Sequence, residues 1–238
     1  MAKGATLVTG AARRIGRAIA LALAEDGYDV AVHYGSSRQD AEEVVAAIAA
    51  KGRRAVALAA DLARESETLG LIAAAAKALG PVTCLVNNAS LFERDEALTV
   101  TRASWDAHLE TNLRAPFVLM QEFARALPAD ASGNVVNILD ERVWSLTPHF
   151  VSYTLSKAGL WTLTQAMALA LAPRIRVNAI GPGPTLPSPR QSEEQFSRQQ
   201  ASMPLRRGAT PEEIGAAVRF IVASPSLTGQ MIALDGGQ

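Results

Sequence analysis

The sequence predicts a single α/β domain, residues 1–238, in which a parallel sheet of about seven strands carries helices on both faces, a doubly wound arrangement. The first observation behind this prediction is a series of short apolar runs rich in Val, Ile and Leu, which are typical of strands buried on both faces. The second is that stretches of amphipathic helical period separate these runs, and such alternation indicates parallel strands joined by right-handed crossovers. The third is that no change in composition marks a second domain.

The predicted elements follow one another in chain order. Strands are predicted at residues 5–9, 30–34, 55–58, 84–86, 135–139, 175–179 and 231–234. Helices are predicted at residues 14–26, 40–51, 65–79, 102–126, 152–172 and 211–223. The last helix has a readable start, because Thr210 is a good cap, Pro211 suits the first turn, and acidic residues follow at the positive helix end. The segment 183–210, with prolines at 184, 187, 189 and 204, is no single regular element and is either a lid over a site or a surface loop.

Composition excludes several function classes. The 238 residues are 49% hydrophobic, which is enough to bury a large core. Because 23 basic residues balance 23 acidic ones, there is no basic field for nucleic acid or an anionic membrane, and we expect neither partner. The single cysteine, Cys84, lies in an apolar run and is typical of a buried thiol in a reducing compartment. No stretch approaches the ~18 apolar residues of a membrane span, so we expect a cytoplasmic protein.

A glycine turn follows the first predicted strand, at residues 9–16. Gly10 allows a tight turn and Gly16 allows the helix to pack closely on the strand, which leaves amide hydrogens and the positive helix end facing a pyrophosphate. Arg14 stands where a middle glycine is usual, and its guanidinium adds a charge able to pair with phosphate. The position of the turn directly after a strand predicts a dinucleotide site.

The ends of the next strands suggest which dinucleotide binds. The second strand ends in His33 and Tyr34, and Ser36 and Ser37 follow with no Asp or Glu to hold a ribose 2'-hydroxyl, which favours NADPH over NADH. The alternative is that Ser36 and Arg38 only cap and begin the next helix. After the third strand, Asp61 either accepts a hydrogen bond from adenine or caps a helix.

Tyr153 and Lys157 lie four residues apart on a predicted helix, so their side chains share one face. An ammonium near a phenol stabilises the phenolate, and we therefore expect Lys157 to lower the pKa of Tyr153 from its usual ~10. Taken alone, this spacing is shared by ordinary amphipathic helices. Coming after a dinucleotide turn, it predicts a catalytic pair.

These motifs together resemble the short-chain dehydrogenase/reductase family over essentially the whole chain. The resemblance is carried by the turn at 9–16, Asp61, Asn87-Asn88-Ala89, Asn112, the Tyr153/Lys157 pair, Pro182-Gly183 and Asp235-Gly236-Gly237. It implies a seven-stranded Rossmann sheet, hydride transfer from a nicotinamide, Tyr153 as proton donor, Lys157 on the ribose and Asn112 supporting a water relay. The cofactor contacts that it implies are Gly10, Arg13, Arg14, Ile15, Gly16, His33, Tyr34, Ser36, Ser37, Asp61, Leu62, Asn88, Ala89, Ser90, Tyr153, Lys157, Pro182, Gly183 and Thr185. It implies no metal.

Three departures from the usual family pattern resemble the pteridine reductase group. They are Arg14 in the turn, Ser90 after Asn-Asn-Ala, and Asp140 where a serine is usual, 13 residues before Tyr153. In that group an aromatic ring stacks on the pterin opposite the nicotinamide, and Phe92 matches it; the alternative for a lone Phe is the core. The substrate contacts implied are Arg14, Ser90, Phe92, Asp140, Trp144 and Tyr153, although Trp144 is equally well explained by packing. Arg206 and Arg207 either meet an anion or form a solvated pair.

Among the candidate site residues, Asp140 restricts the class of substrate most strongly. A carbonyl oxygen gains negative charge on reduction and a carboxylate would repel it, whereas a dihydropterin presents an imine whose nitrogen must be protonated. We expect Lys157 to keep Asp140 ionised. The alternative is that Asp140 only caps the following loop, with Glu141 and Arg142 forming a solvated ion-pair surface.

The sequence therefore favours an NADPH-dependent reductase of dihydropterins. One alternative is a carbonyl reductase acting on substrates such as 3-oxoacyl thioesters, and another is a nucleotide-binding regulator without turnover, which the presence of Asn112, Tyr153 and Lys157 disfavours. The family resemblance also implies a homotetramer assembled through the helices at 102–126 and 152–172.

Overall fold

The computed structural model describes residues 3–188 and 191–238, so residues 189 and 190 of the predicted 183–210 segment, and residues 1 and 2 of the domain, lie outside the described residues. Seven strands are present: β1 Ala5–Val8, β2 Asp29–Tyr34, β3 Ala55–Ala59, β4 Val82–Asn87, β5 Gly133–Ile138, β6 Ile175–Pro182 and β7 Met231–Leu234. The α-helices are α1 Arg14–Glu25, α2 Arg38–Ala49, α3 Glu65–Thr68, α4 Leu71–Leu79, α5 Arg102–Leu109, α6 Ala115–Ala126, α7 Val151–Leu171, α8 Glu193–Ala201 and α9 Pro211–Ala223.

The strands form one parallel sheet in the order β3-β2-β1-β4-β5-β6-β7. Strand order reverses between β1 and β4, and in such sheets the carboxyl ends at the reversal open a crevice that takes ligands. Apolar side chains fill both sides of the sheet: one cluster includes Ile19 and Val218 of α1 and α9, and the other includes Leu119 and Phe123 of α6. The prediction of a doubly wound single domain is confirmed.

Two predicted helices are interrupted. The helix predicted at 65–79 is two helices, α3 and α4, that meet at Leu69 and Gly70, where glycine weakens helical continuity. The helix predicted at 102–126 contains a π-helical turn, Glu110–Arg114, between α5 and α6. Such turns often occur at functional sites, and this one carries Asn112.

Helix boundaries elsewhere follow local capping chemistry. At α9, Thr210 and Glu213 form a capping box and Pro211 occupies the first turn, which confirms the predicted start. Helix α8 was not predicted, yet Ser192 and Gln195 form the same kind of box at its start. Within the described residues, no helix combines the length and the apolar character needed to cross a bilayer.

A buried polar ladder joins the centre of the sheet to α7. The Asn87 amide nitrogen donates to Asn137 Oδ1 at 2.8 Å, and Asn137 Nδ2 donates to Thr164 Oγ1 at 2.9 Å. All three side chains are buried. Because buried amides are costly without partners, this ladder stabilises the registration of β4, β5 and α7 directly beneath the crevice.

We expect Asn137→Ala to lower the free energy of unfolding by about 1–3 kcal/mol, because it leaves the buried Asn87 amide without its acceptor. Urea denaturation measures the change. Asn134→Ala on the same strand is the control, since the Asn134 side-chain oxygen accepts no hydrogen bond in the structure. An equal loss in both variants would mean that the ladder adds no stability of its own.

Candidate active site

The crevice brings together Asp140, which follows β5, and the Tyr153/Lys157 pair, which lies on the first turns of α7. Tyr153 Oη donates a hydrogen bond to Asp140 Oδ2 at 2.6 Å. Lys157 Nζ lies 5.9 Å from the centroid of the Tyr153 ring and donates to the carbonyl oxygen of Ile138 at 2.8 Å. Tyr153 and Lys157 are both buried, and the Asp140 side chain is 13% exposed. The carboxylate and the phenol thus form one unit at the edge of the sheet.

Arg142 is the cation paired with Asp140. Its backbone N–H donates to Asp140 Oδ1 at 3.0 Å, and its guanidinium Nη1 lies 3.2 Å from Oδ2. Asp140 therefore also caps the short 3₁₀ turn Glu141–Val143, so the capping interpretation and the site interpretation both hold. We expected Lys157 to keep Asp140 ionised, but the charge that lowers the pKa of Asp140 is that of Arg142, and the Lys157 ammonium donates its hydrogen bond to the Ile138 carbonyl. The Glu141 and Arg142 side chains are not solvated, since Glu141 is buried and the Arg142 side chain is 15% exposed.

The protonation states follow from burial and from these contacts. Burial raises the pKa of Glu141 to about 9, and the hydrogen bond to Asp140 and its charge act in the same direction. Burial alone would raise the pKa of Asp140, but the hydrogen bond with Glu141 and the charge of Arg142 outweigh it and hold that pKa below its usual value. The pKa values of the two neighbouring carboxyl groups are thus shifted in opposite directions, upward for Glu141 and downward for Asp140.

The phenol and the ammonium shift in opposite directions. Burial, followed by the negative charge of Asp140, raises the pKa of Tyr153 well above its usual value. Burial lowers the pKa of Lys157 to about 8, against the opposing attraction of Asp140. The expectation that Lys157 lowers the pKa of Tyr153 is therefore wrong in this structure, because desolvation and a carboxylate in direct contact both disfavour the phenolate. Tyr153 is a neutral hydrogen-bond donor at neutral pH.

An aromatic wall stands beside the phenol. The Phe92 ring stacks on Phe150 with centroids 4.6 Å apart and planes 7° apart, and it meets the Tyr153 ring edge-on at 4.7 Å. The guanidinium of Arg142 lies 5.4 Å from the Phe92 ring and 5.2 Å from the Phe150 ring. The sequence did not indicate Phe150, whose left-handed backbone at the start of α7 has no local signature. Arg142 does have a local sequence signature, because the backbone N–H of the residue two positions after a capping Asp commonly donates to the Asp carboxylate.

Asn112 supports the loop that carries this wall. Its Oδ1 accepts from the Leu91 N–H at 2.8 Å, and its Nδ2 donates to the Leu91 carbonyl at 2.9 Å and to Ser156 Oγ at 3.0 Å. All the hydrogen bonds of this side-chain amide are therefore made to protein groups. By holding the backbone of Leu91, the amide also fixes the two neighbouring residues, Ser90 and Phe92. A part for Asn112 in a water relay stays a prediction.

A second buried network, which we call the histidine brace, consists of Asp95, Ser104, His108 and Ser152. His108 Nε2 accepts from the Glu93 N–H at 3.1 Å, and Nδ1 lies 2.7 Å from Ser152 Oγ. Ser152 Oγ also donates to the Asp95 carboxylate, as does Ser104 Oγ at 3.2 Å. Burial lowers the pKa of His108, which is consistent with a neutral ring. The Phe150 N–H donates to the Asp95 carbonyl at 2.9 Å, so the brace holds both halves of the aromatic wall.

The glycine turn has the form that a phosphate site needs. Gly10 has φ of +61°, and a Cβ on Gly16 would lie 2.2 Å from the Gly10 carbonyl oxygen. His33 lies beneath the turn, where Nδ1 accepts from the Gly10 N–H at 3.0 Å and Nε2 faces the Ala60 carbonyl at 3.1 Å. Burial lowers the pKa of His33 to about 4, so the ring is neutral. The His33 side chain thus shapes the turn from below, although the sequence placed it among the cofactor contacts.

The side chain of Asn88 holds the turn from the other side. Its Nδ2 donates to the carbonyl oxygens of Thr9 at 2.9 Å and Gly10 at 3.2 Å. Arg13 pairs with Asp40 of α2 at 2.6 Å. Arg14, with φ of 54°, extends away from the turn. Its guanidinium donates to the carbonyl oxygens of Pro187 at 3.0 Å and Leu186 at 3.3 Å in the 183–210 segment.

The remaining predicted cofactor residues lie along the same edge of the sheet. Ser36 is exposed and Ser37 occupies the cap position of α2 without a capping side-chain bond. Asp61 is exposed and its Oδ1 accepts from the Ala63 N–H at 3.0 Å, which is a local turn bond. Asp61 does not cap α3, because Arg64 occupies the cap position and that helix has no side-chain cap hydrogen bond. Leu62 is buried, and Tyr34 is partly buried at the end of β2. Contacts of these residues with adenine or ribose stay predictions.

A cavity of about 760 Å³ opens between this edge and the 183–210 segment. Its lining includes these predicted site residues: Arg14, Ile15, Asn88, Ser90, Phe92, Asp140, Tyr153, Lys157, Pro182, Gly183 and Thr185. The segment itself contributes Leu186, Gln195, Phe196 and Gln199 among others. Trp144 is not part of the lining and is 57% exposed, so its prediction as a substrate contact is wrong; the 3₁₀ turn ends at Val143 and directs Trp144 outward. Arg207 pairs with Glu213 at 2.9 Å.

The chain is similar to known reductases, both in sequence and in structure. A family model described as enoyl-(acyl carrier protein) reductase matches residues 10–238. A 3-oxoacyl-(acyl-carrier-protein) reductase, FabG, from Staphylococcus epidermidis is 35% identical over 236 residues, covering 97% of this chain and 97% of its own. The crystal structure of FolM alternative dihydrofolate reductase 1 from Brucella canis, complexed with NADP, is 49% identical with a TM-score of 0.96, covering 100% of this chain and 94% of that one. The Brucella suis protein of the same name, also with NADP, has the same identity and TM-score and covers 99% and 95%.

The residues present fit NADP. Gly10 and Gly16 allow the turn to pack closely against Ala89 and against the start of α1. The first turn of α1 has no acidic residue, and no carboxylate stands between Tyr34 and Asp40 to repel a 2'-phosphate. The cofactor of this chain is therefore NADP(H), as in the neighbouring structures.

We expect Ser36→Asp to weaken NADPH binding about tenfold, because a carboxylate near the 2'-phosphate adds roughly 1.4 kcal/mol of repulsion. NADH binding should be unchanged or stronger. Fluorescence titration of both cofactors gives the two dissociation constants, and Ser132→Asp, before β5, is the control. Equal weakening of both cofactors would show that Ser36 does not lie near the 2'-position.

Proposed function

The chain belongs to the short-chain dehydrogenase/reductase family, and from that premise we propose that it reduces a dihydropterin ring to the tetrahydro form with NADPH. The observation that carries the proposal is the 2.6 Å hydrogen bond from Tyr153 Oη to Asp140 Oδ2 inside the cavity. NADPH supplies the hydride when it is bound. The residues of the chain then have to hold the ring, exclude water and deliver one proton to the ring nitrogen next to the reduced carbon.

The Asp140 carboxylate distinguishes between substrate classes. Its low pKa keeps it ionised, and a carbonyl oxygen that becomes negative during reduction would approach it against electrostatic repulsion. An imine nitrogen instead gains a proton during reduction, and a carboxylate accepts a hydrogen bond from the N–H group that results. The chemistry of the pair therefore supports a nitrogen heterocycle over a ketone.

Tyr153 is the proton donor in this proposal. Its raised pKa keeps the hydroxyl protonated until a basic atom arrives, and the hydrogen bond to Asp140 orients it. Lys157 lies one turn further along the same helix and, with its ammonium held by the Ile138 carbonyl, contributes positive charge near the phenol as the proton leaves. By its position it also suits the ribose contact that the family resemblance implies.

The aromatic wall suits a flat ring. Phe92 is 37% exposed and lines the cavity, and Phe150 stacks on one of its faces. The Nε–H of Arg142 is buried without a hydrogen-bond partner in the structure, and Arg142 lines the cavity beside this wall. Ser90 and Arg14 line the same cavity. The Ser90 hydroxyl donates to the Leu91 carbonyl at 3.3 Å, so its oxygen remains as an acceptor for the ring's polar edge.

The relatives support two candidates unequally. The Brucella proteins named alternative dihydrofolate reductase are 49% identical to this chain, and the FabG relatives, named 3-oxoacyl reductases, are 35% identical. A 3-oxoacyl thioester reductase is thus the second candidate, favoured by those curated relatives. A nucleotide-binding regulator without turnover is disfavoured because the Tyr153, Lys157 and Asp140 side chains are assembled in one cavity.

Assembly into a homotetramer is part of the proposal. Leu155 and Leu169 of α7 are 46% and 84% exposed, which is costly for a helix face that stays in water. Sedimentation equilibrium of the purified protein measures the mass of the assembly.

We expect Tyr153→Phe to lower the rate of dihydropterin reduction by about 10²–10⁴-fold, because the phenol supplies the proton. NADPH binding, measured by fluorescence titration, should change little. Tyr28→Phe, a buried tyrosine outside the cavity, is the control. A parallel loss of NADPH affinity would contradict the role of Tyr153 as proton donor.

We expect Asp140→Ser to lower kcat/KM for dihydropterin by about 100-fold, the lower part of the range for groups that take part in proton transfer. Activity on acetoacetyl thioester should stay the same or increase, because the repelling carboxylate is gone. Asp130→Ser, at an exposed position, is the control. Turnover of the thioester but not of dihydropterin by the unmodified protein would reverse the order of the two candidates.

A further inference from the structure

His108 is a buried titratable side chain of α5 that the catalytic scheme does not use. It helps to hold the loop that carries Phe92. The residue before Phe92, Leu91, has its N–H and its carbonyl bonded to the Asn112 side chain. The residue after Phe92, Glu93, has its N–H bonded to His108 Nε2 at 3.1 Å. The backbone is therefore fixed on both sides of Phe92, and one of the two fixing groups is an imidazole.

The partners of His108 determine which ring nitrogen carries the proton. A backbone N–H can only donate, so Nε2, which faces the Glu93 N–H, has to be the acceptor nitrogen. Nδ1 then carries the proton, and both groups near it can accept: the Ser104 carbonyl oxygen at 3.0 Å and Ser152 Oγ at 2.7 Å. Ser152 Oγ can accept because its own proton is donated to the Asp95 carboxylate. Donors and acceptors are thus matched from Glu93 to Asp95 only when the ring is neutral.

A second proton on His108 is incompatible with this arrangement. It would lie on Nε2 and point at the Glu93 N–H, so two donors would meet where a hydrogen bond is now made. Within the part of the chain that the structure describes, the titratable groups around the ring are Asp95, Glu93 and Tyr153. Burial lowers the pKa of His108 against the attraction of Asp95, so the ring is charged only at a pH below the usual ~6.5 of histidine. Protonation in acid therefore releases the residue that follows Phe92.

We propose that His108 is a positioning residue for the substrate, and that its neutral imidazole sets the position of the Phe92 ring relative to the Tyr153 hydroxyl. The proposal rests on the proposed function in one respect, which is that the substrate lies against Phe92. The histidine brace joins the two sides of the site, because Glu93 belongs to the loop after β4 and Ser152 directly precedes Tyr153 on α7. His108 is not among the residues that line the cavity, so it acts through the residues that it holds.

The first test asks whether the ring has the proposed proton, and it needs no substrate. Long-range nitrogen–proton NMR correlations of the NADP-bound protein at pH 7 should show a His108 ring with a proton on Nδ1 and none on Nε2. The chain has three histidines, and the His108 signals are those that disappear in His108→Gln. A ring protonated on Nε2 at pH 7, alone or together with Nδ1, would overturn the proposal.

The second test asks whether substrate binding depends on the neutral ring. It uses whichever substrate the unmodified protein turns over, a dihydropterin or an acetoacetyl thioester, so failure of the dihydropterin assignment does not affect it. In the unmodified protein, KM should rise by about threefold or more as the pH falls from 7 to 5, because the ring becomes charged. In His108→Gln, KM at pH 7 should stay within about twofold and the rise in acid should be absent, because the amide supplies one donor and one acceptor but takes up no proton.

Two further variants separate positioning from general structure. His149→Gln is the control, because the His149 side chain is 44% exposed and pairs with Glu96 outside the histidine brace, so the rise of KM in acid should persist. His108→Leu keeps neither the donor nor the acceptor, and it should raise KM at pH 7 about tenfold. The value of kcat and the dissociation constant of NADPH should change by less than about twofold in the same variant, because the brace has no contact with the glycine turn in the described residues.

Two outcomes would contradict this role of His108. One is a KM that does not rise in acid in the unmodified protein, or that rises equally in His108→Gln, which would mean that the charge on this ring does not control substrate binding. The other is a loss of NADPH affinity and of kcat in His108→Leu as large as the rise of KM, which indicates a general distortion of the protein. Should His108→Leu fail to fold, the pH dependence of KM in His108→Gln decides alone.

Discussion

The hydrogen bond between Tyr153 and Asp140 requires a carboxylate inside the protein, and the surrounding residues must stabilise its negative charge. A buried carboxylate is stable only with a cation and with donors for its oxygens. Here both come from residues that follow Asp140 directly: the N–H and guanidinium of Arg142 and the acid of Glu141. The short 3₁₀ turn is thus what allows the acidic group to remain ionised next to a phenol. The proposed substrate preference and the local backbone structure are consequences of the same requirement.

The site is assembled from elements that the sheet topology brings together and that buried polar contacts then hold. Strands β4 and β5 end side by side, so the loop carrying Phe92 and the turn carrying Asp140 face each other. The π-helical turn places Asn112 against the first of these loops, and the N-terminus of α7 completes the wall with Phe150. On the far side, Arg14 links the glycine turn to the 183–210 segment, so the proposed cofactor and substrate regions share a boundary.

Much of the fold could be predicted because buried parallel strands and amphipathic helices have local periodicity. The Tyr153/Lys157 pair and Asp140 could be found because their spacing along the chain is itself the signal. Features that depend on tertiary contacts could not: the burial of Glu141 and the stacking of Phe92 on Phe150 arise only once the segments after β4 and β5 meet the start of α7. Helix α8 has no buried face to create a periodic pattern, although its cap at Ser192 was readable.

The histidine brace has a consequence for the way this protein changes over evolutionary time. His108 acts as an acceptor for one loop and faces a serine of α7, while Asp95 receives hydroxyl donors from two helices. Replacing one member leaves the polar side chains of its neighbours without hydrogen-bond partners inside the protein. Selection removes such a defect unless a compensating replacement accompanies it. Positions 95, 104, 108 and 152 should therefore covary among homologues, and grafting this loop into another scaffold requires transplanting them as a set.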